Sequence, residues 1–430
     1  MQNNIAQEFY VALTIIGCVY FLFRKRDFDY LSLGFFSSLI YFMPLFFGWT
    51  YGGNMIERIP ILPEVYYIGS AIIISLLLAA ETLTLTLSLQ GIIPVNSKSM
   101  LMPQEGYLLE LLTVLACIGL IATIVTAGSD LLSTNKTVVM SSLSRFYILA
   151  KYASIMGLVW SFRLKRNAYF IFFLILLLFD IYIGFRLSAA IASLSVILIW
   201  LMGMGKVRLF EIAWERKKSS IAIIMVFAFF FIYKQIYILI KAGLWGNIQV
   251  HFLKGNLLNN AVFKGEPFIT QSILNNVIKE DFSIKGDYLF SNVFQFIPFS
   301  NNLGSISHSF NDMFQPILFS SWKSGMAGNW WAEWFAAFSW WGMIFAVLIY
   351  VGTLFVFSYF HIRHFHKVNL SVLLTVLGVF CAFYIHRNDI TFFITLEKRV
   401  VWLWLFVIGL NMIIQNKIQM TKTKNLEIKK

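Results

Sequence analysis

The sequence predicts an all-α, polytopic membrane protein with about 11 (10–12) transmembrane helices and one large loop late in the chain. Hydrophobic residues make up 59% of its 430 residues and charged residues only 13%, whereas soluble domains carry roughly 25% charged residues. The mean hydropathy is +0.73. Phe, Tyr and Trp together reach 17%, which fits lipid-facing helices with aromatic residues at headgroup level.

Apolar segments of about 17 to 25 residues, the length that a helix needs to cross a bilayer core, recur along the chain. Eleven such segments are predicted as spans: 6–23, 31–49, 65–88, 107–126, 146–162, 168–184, 187–204, 219–240, 340–360, 369–386 and 394–415. The first segment lacks a basic leader and a cleavage site, so we expect a retained helix. The pattern predicts a single integral membrane domain over 1–430 that ends in a basic tail at 416–430.

Basic residues concentrate in alternate connectors, and this alternation predicts the orientation. The basic groups lie at 24–26, 163–166, 206–218, 361–367 and 417–430. The positive-inside rule places them in the cytoplasm, so we expect a cytoplasmic C-terminus and an external loop at 241–339. The net charge of +13 is therefore interpreted as a topology signal and not as a nucleic-acid-binding signal.

The loop at 241–339 holds most of the polar chemistry outside the termini. Within SISHSFND, His308 lies four residues before Asp312, so the imidazole could accept a proton while the carboxylate holds its tautomer. A solvated loop histidine is the alternative. Glu266 precedes a proline in FKGEPF, where it is either a base or a surface charge.

Two arginines lie at tight reversals on the predicted outer side, beside the large loop. Arg186 follows the flexible Gly184 in YIGFRLS, and Arg387 lies in YIHRNDI. Either arginine alone could extend to lipid headgroups. Their convergence on one face of the membrane favours a fork-shaped site for phosphate or diphosphate.

The segment GNWWAEWFAAFSWWG closes the loop and is predicted to be helical. Helical periodicity places Asn329 and Glu333 on one face, with small residues. The opposite face carries Trp330, Trp334, Phe338 and Trp341. We expect the tryptophan face to contact lipid at the bilayer interface, and the polar face to direct its amide and carboxylate towards the loop.

Charged residues within the predicted spans include Glu81, Lys151, Asp180 and Lys234. Ionisable groups at membrane depth need partners. We interpret these four as structural pairs between helices, and an ion path in a transporter is the alternative.

Neither the one metal-binding pattern in the sequence nor its three cysteines predict a metal site. Asp27-Phe28-Asp29 spells the DxD motif by which many glycosyltransferases hold a divalent ion, but it directly follows the basic group at 24–26 and is therefore predicted to be cytoplasmic. The three cysteines show no spacing pattern. No metal site is predicted.

The chain resembles the bacterial O-antigen and capsule repeat-unit polymerases of the Wzy type. The resemblance spans about 140–410 and is carried by Gly184-Phe185-Arg186, the stretch 325–342 and His386-Arg387-Asn388-Asp389. It implies a GT-C-like fold in the bacterial inner membrane with a periplasmic loop. It also implies a metal-independent glycosyltransferase without a cofactor, which moves a growing glycan from undecaprenyl diphosphate onto the next lipid-linked repeat unit in lipopolysaccharide or related biosynthesis.

This resemblance implies roles for the candidate residues and for partners. The residues expected to bind substrate or diphosphate are Arg186, Arg387 and Asn329, and the candidate bases are His308 or Glu333, followed by Glu266 and Asp312. The implied partners are the lipid-linked donor and acceptor glycans, membrane lipids and a chain-length regulator. Two alternatives stay open: an O-antigen ligase or other lipid-dependent glycosyltransferase, and a flippase or transporter of lipid-linked oligosaccharide.

Overall fold

The computed structural model describes residues 2–25, 28–91, 106–205, 208–244, 262–297, 309–322 and 325–428. Within these ranges the chain is helical apart from connectors and one antiparallel hairpin, in which β1 (Trp49–Tyr51) pairs with β2 (Arg58–Pro60). The protein is thus nearly all-α, as the sequence predicts.

The helices before the large loop are α1 (Gln2–Phe23), α2 (Tyr30–Tyr41), α3 (Pro44–Phe47), α4 (Pro63–Leu89), α5 (Leu108–Ala127), α6 (Lys136–Ser142), α7 (Arg145–Arg163), α8 (Asn167–Tyr182), α9 (Leu187–Met202), α10 (Leu209–Glu215) and α11 (Lys217–Lys241). The later helices are α12 (Glu266–Lys279), α13 (Asp287–Val293), α14 (Phe310–Leu318), α15 (Trp330–His364), α16 (Val368–Val379) and α17 (Ile390–Ile428). A π-helical segment, Phe380–Tyr384, and a 3₁₀ turn, Ile385–Arg387, continue α16.

Five helical segments of the described ranges are long and apolar enough to cross a membrane: Ile5–Phe23, Pro63–Leu89, Leu108–Leu132, Trp330–His364 and Val368–Arg387. Shorter apolar helices are Tyr30–Tyr41, Asn167–Tyr182 and Leu187–Met202. The chain is therefore a membrane-embedded helical protein. The full number of about 11 spans and the GT-C-like fold stay predictions.

The predicted span 31–49 is interrupted in the structure. Helix α2 ends at Tyr41, α3 begins at Pro44, and Trp49 already belongs to β1. Pro44 has no N–H group with which to continue the hydrogen-bond ladder of α2, so the helix ends before it. The second half of this apolar stretch instead leads into the hairpin.

Helix ends rich in basic residues meet at one end of the bundle, which we call the basic end. Arg163 at the end of α7 donates a 2.7 Å hydrogen bond to the carbonyl of Phe365, just after α15. Phe23 at the end of α1 stacks on Phe210 of α10 with ring centroids 5.1 Å apart. The described residues of the basic groups at 24–26, 163–166, 206–218 and 361–367 therefore share one end of the fold, and their cytoplasmic location stays a prediction.

The described parts of the large loop cover the opposite end, which we call the loop end. Helix α12 packs inside the protein against β1, α2 and α15. The polar face of α12 forms hydrogen bonds with the hairpin and the segment after it. The hydroxyls of Ser272 and Thr50 lie 2.7 Å apart, and Asn275 Oδ1 accepts the Leu62 amide at 2.9 Å. Buried polar groups with partners inside the protein explain why this helix does not lie on lipid.

Helices α5 and α7 approach each other closely at Gly119. A Cβ atom at this position would lie 2.6 Å from the amide nitrogen of Ala150 and 2.8 Å from the carbonyl oxygen of Phe146. Both are backbone atoms of α7, and they cannot rotate away as a side chain could. Small residues allow this kind of backbone approach between membrane helices.

Gly119→Ala should therefore lower the free energy of unfolding by about 1–3 kcal/mol, the usual cost of overpacking a close-packed site. The matched control is Gly352→Ala in α15, where an added Cβ meets nothing within 4 Å. Thermal unfolding of both variants in detergent compares the two sites. Equal midpoints for both variants would show that the α5–α7 contact tolerates a methyl group.

Candidate functional site

Two reversals at the loop end carry Arg186 and Arg387. Helix α8 ends at Tyr182, and Gly184 then adopts a φ of 105°, which side-chain-bearing residues rarely adopt. This turn places Arg186 immediately before α9. On the other reversal, the π-helical segment after α16 tightens into a 3₁₀ turn that ends at Arg387. Such π-helical insertions in helices are frequent at functional sites.

The two arginine side chains meet at the carboxylate of Glu266, the first residue of α12. Arg186 Nη2 lies 3.0 Å and Arg387 Nη1 2.6 Å from the same oxygen, Oε1. Arg186 Nη1 also donates to the carbonyl of Phe230 at 2.8 Å. The side chains of Arg186, Arg387 and Glu266 are 23%, 28% and 21% exposed. These three residues, the triad, form a solvent-accessible group with a formal charge of +1.

Tyrosines line the surroundings of the triad. The guanidinium carbon of Arg387 lies 5.7 Å from the ring centroid of Tyr384. Tyr237 packs on the Gly184 turn, because a Cβ there would lie 3.3 Å from its ring. Aromatic walls around a few charged groups are usual in sites for small polar ligands.

His386 lies next to Arg387 and is buried at the centre of a hydrogen-bond chain. Trp331 Nε1 donates to His386 Nδ1 at 3.1 Å. An indole can only donate, so the imidazole is neutral and carries its proton on Nε2, which lies 3.2 Å from the Tyr350 hydroxyl. The Tyr350 hydroxyl lies 3.2 Å from the Ala382 carbonyl and donates to it. This chain of hydrogen bonds fixes the turn that presents Arg387. The sequence alone does not indicate this role of His386.

Glu333 does not lie where a substrate could reach it. Its side chain is fully buried, and Oε2 accepts a 2.7 Å hydrogen bond from the amide of Ile390, the first residue of α17. A carboxylate is favourable at a helix N-terminus. Glu333 also faces Tyr288. Burial raises the pKa of the Tyr288 hydroxyl, and the negative charge of the Glu333 carboxylate is the second cause of this rise. The inward direction predicted for Glu333 agrees with this geometry, and its contacts are those of a structural group.

The predicted lipid-facing tryptophan face is wrong for Trp330 and Trp334, which are both buried. Trp330 packs against Phe393 of α17 with ring centroids 6.1 Å apart. Ser339 has a φ of 53° and a ψ of −137°, so the helix is kinked there and a single helical periodicity does not apply across it. Beyond the kink the expectation agrees with the structure, since Trp341 is 71% exposed.

Asn329 links the loop to the membrane helix α15. Its Oδ1 accepts the Ala332 amide at 3.0 Å and so caps α15, while its Nδ2 donates to the Thr270 carbonyl of α12 at 2.7 Å. Both ends of the amide are therefore used within the protein. Asn329 was expected to bind substrate. In the structure its contacts instead hold α12 and α15 together.

Asp312 belongs to a capping box at the start of α14. Its Oδ2 accepts from the amide and hydroxyl of Ser309 at 3.1 and 2.9 Å. His308, the predicted partner of Asp312, lies outside the described residues. Helix α14 docks on the Arg387 reversal, because Asp389 Oδ2 accepts the Phe310 amide at 3.0 Å. Burial raises the pKa of Asp389, and the nearby Asp312 adds to this rise.

The DxD motif also has a structural explanation. Asp29 caps α2 by accepting the Ser32 amide at 2.7 Å, and it pairs with Arg24 at 2.9 Å. Asp27 lies outside the described residues. Asp29 therefore stabilises the start of a helix at the basic end.

Asp180, one of the charged residues within the predicted spans, is bound by hydroxyl groups. Asp180 accepts hydrogen bonds from the Tyr147 and Ser188 hydroxyls, and Lys151 lines the same internal cavity of about 20 Å³. The side chain of Lys234 lies outside the described parts of the structure. A cavity of this size accommodates about one water molecule.

Comparison of the chain with protein-family models, with characterised proteins and with solved structures finds no significant match. Within the described ranges, no group of three or more His, Cys, Asp or Glu side chains could hold a metal ion. Of the predicted site residues, the structure brings together Arg186, Arg387 and Glu266, and it places Asn329, Glu333 and Asp312 at helix starts around them.

Asn329→Ala should lower the free energy of unfolding by about 2 kcal/mol, because it removes a helix cap and a buried hydrogen bond to α12. Asn329→Ser restores a preferred cap but is too short to reach Thr270, so it should recover about half of the loss. Thermal unfolding in detergent measures both variants. A wild-type midpoint for Asn329→Ala would show that this link does not stabilise the loop end.

Proposed function

We propose that this protein is a glycosyltransferase that polymerises undecaprenyl-diphosphate-linked oligosaccharide repeat units into O-antigen or a related surface polysaccharide. The reaction would occur on the periplasmic side of the bacterial inner membrane. The observation that carries the proposal is the triad, in which two guanidinium groups from separate reversals meet at one carboxylate under the large loop. The Wzy-type resemblance of 184–186, 325–342 and 386–389 supplies the substrate class.

The electrostatics of the triad suit a diphosphate. Guanidinium groups bind phosphate oxygens through paired N–H donors, and two of them match the two phosphates of a lipid diphosphate. Glu266 occupies the position of an anion between the two arginines. In the absence of substrate it keeps two like charges close together, and an arriving diphosphate would compete with it for both guanidinium groups.

The chemistry needs one bond broken and one bond formed at the anomeric carbon of the growing glycan. The acceptor hydroxyl attacks this carbon, the bond to the diphosphate oxygen breaks, and undecaprenyl diphosphate leaves with the bonding electron pair. Arg186 and Arg387 would stabilise the charge that develops on the departing diphosphate. The proton of the attacking hydroxyl passes to a base.

Glu266 is our first choice for that base, ahead of the buried Glu333. Two guanidinium groups that hold a carboxylate weaken it as a proton acceptor. Diphosphate binding would draw the arginines away from Glu266 and so make its carboxylate available when the donor is in place.

Arg186→Ala and Arg387→Ala, each expressed in a strain that lacks the gene, should reduce polymer at least about 100-fold, the scale for loss of a charge-stabilising group. Surface glycans resolved by gel should show lipid A core capped by a single repeat unit, with normal amounts of the protein in the membrane. The control is Arg58→Ala, which removes an arginine of the hairpin at the loop end. The guanidinium carbon of Arg58 lies 4.1 Å from the ring centroid of Trp49. This variant should restore the ladder.

The same gels distinguish the alternatives. Wild-type ladders from both triad variants would reject the diphosphate role of the arginines. Uncapped core with polymer held on the lipid carrier, in the strain that lacks the gene, would indicate a ligase. Repeat units retained inside the cell would indicate a flippase.

Glu266→Gln should abolish the ladder and yet bind a lipid diphosphate about tenfold more tightly, because the competing anion is removed while the arginines remain. Titration of the purified protein with geranylgeranyl diphosphate, followed by thermal shift, measures the affinity. Glu266→Asp keeps the charge and should retain part of the activity. A normal ladder from Glu266→Gln would exclude Glu266 as the base, and weaker binding would make it part of the diphosphate site.

A further inference from the structure

A second charged surface lies at the basic end, at the opposite end of α9 from Arg186. An open cleft of about 630 Å³ lies there, lined by the ends of α7 and α9 and by the short helix α10. Arg163, Lys165 and Arg216 contribute positive charge to its walls, and among the lining residues that the structure describes the only acid is Glu215. The cleft is therefore a cationic pocket between helix ends.

The cleft combines these cations with apolar surface. Trp200 forms part of the wall, and the guanidinium carbon of Arg216 lies 6.0 Å from its ring centroid. Ile199 and Ile212, both nearly buried, form an apolar floor. A ligand that fits these surfaces carries a negative charge at one end and hydrocarbon at the other.

Lys165 is held in an unusual backbone conformation at this rim. It follows α7 with a φ of 56°, in the left-handed region where glycine is favoured after a helix. The amide of Arg166 bonds to the carbonyl of Ser161 at 2.9 Å, which closes the turn around Lys165. A lysine in a backbone conformation that favours glycine is an outlier that calls for a functional explanation.

Neighbouring residues indicate that the cleft opens at headgroup level. On α10, Trp214 is 67% exposed and Phe210 is also exposed. The ammonium group of Lys217 lies 4.4 Å from the Trp214 ring centroid. Exposed aromatic residues interleaved with lysine are typical of helices at the membrane–water interface.

We propose that this cleft binds the anionic headgroup of a membrane phospholipid. The phosphate would lie between Lys165 and Arg216, and the first part of an acyl chain would lie along Trp200, above the apolar floor. Basic pockets between helix ends suit anionic lipid headgroups. The apolar floor favours a lipid over a free phosphate, and the site does not depend on the proposed glycosyl transfer.

Lys165→Gly provides a direct test, because it removes a cation while it relieves the left-handed backbone. In delipidated, detergent-purified protein, the variant should melt at a higher temperature than wild type. It should bind phosphatidylglycerol about fivefold more weakly, as measured by native mass spectrometry. Combination with Arg216→Gln should weaken binding about 30-fold. Lys165→Arg keeps the charge and should bind as wild type does.

The matched control is Lys279→Gln with Lys285→Gln, which removes two exposed positive charges at the loop end. This control should bind phosphatidylglycerol normally, and wild type should bind phosphatidylcholine weakly. The proposal would be overturned if Lys165→Gly bound phosphatidylglycerol with wild-type affinity. It would also be overturned if the control lost as much phosphatidylglycerol affinity as Lys165→Gly does. Competition by inorganic phosphate at the concentrations where the lipid binds would reveal a free-anion site instead of a lipid site.

Discussion

The shared carboxylate of Glu266 is the contact on which the loop end depends. Its Oε1 joins the reversal between α8 and α9 to the reversal after α16, and it does so from the first turn of a loop helix. Two partly buried guanidinium groups would repel each other without an anion between them. The position of α12 is therefore set by the same charges that form the candidate site.

Further hydrogen bonds hold α12 in that position. Ser272 meets Thr50 of the hairpin, and the carbonyl of Thr270 accepts from Asn329 at the start of α15. On the membrane side, the buried His386 fixes the turn that presents Arg387 through bonds from Trp331 and to Tyr350. Each of these buried hydrogen bonds favours this one arrangement, since breaking it leaves an unpaired polar group. The triad is thus supported from above by the loop and from below by the helices.

Some of this arrangement could be predicted from the sequence. The two arginines were identified because each lies at a short reversal next to a large loop. Glu266 could not be recognised as their common partner, because it lies 80 residues from Arg186 and only the folded loop brings them together. The capping box of Ser309 and Asp312 has a local sequence signature and could have been found. The prediction of a lipid-facing tryptophan face failed because the first two turns of α15 are buried on every side, with Trp330 packed against Phe393 of α17.

Helix lengths place the triad at a depth that suits a lipid diphosphate. The segment Val368–Arg387 has 20 residues and starts beside the basic connector at 361–367. At about 1.5 Å per residue it spans about 30 Å, the thickness of a bilayer hydrocarbon core. If the basic end lies at one headgroup layer, Arg387 therefore lies at the other, where a diphosphate stays attached to its prenyl chain. A ligand held there can keep its hydrocarbon in the bilayer while its glycan extends under the loop, and a soluble sugar phosphate would gain nothing from this depth.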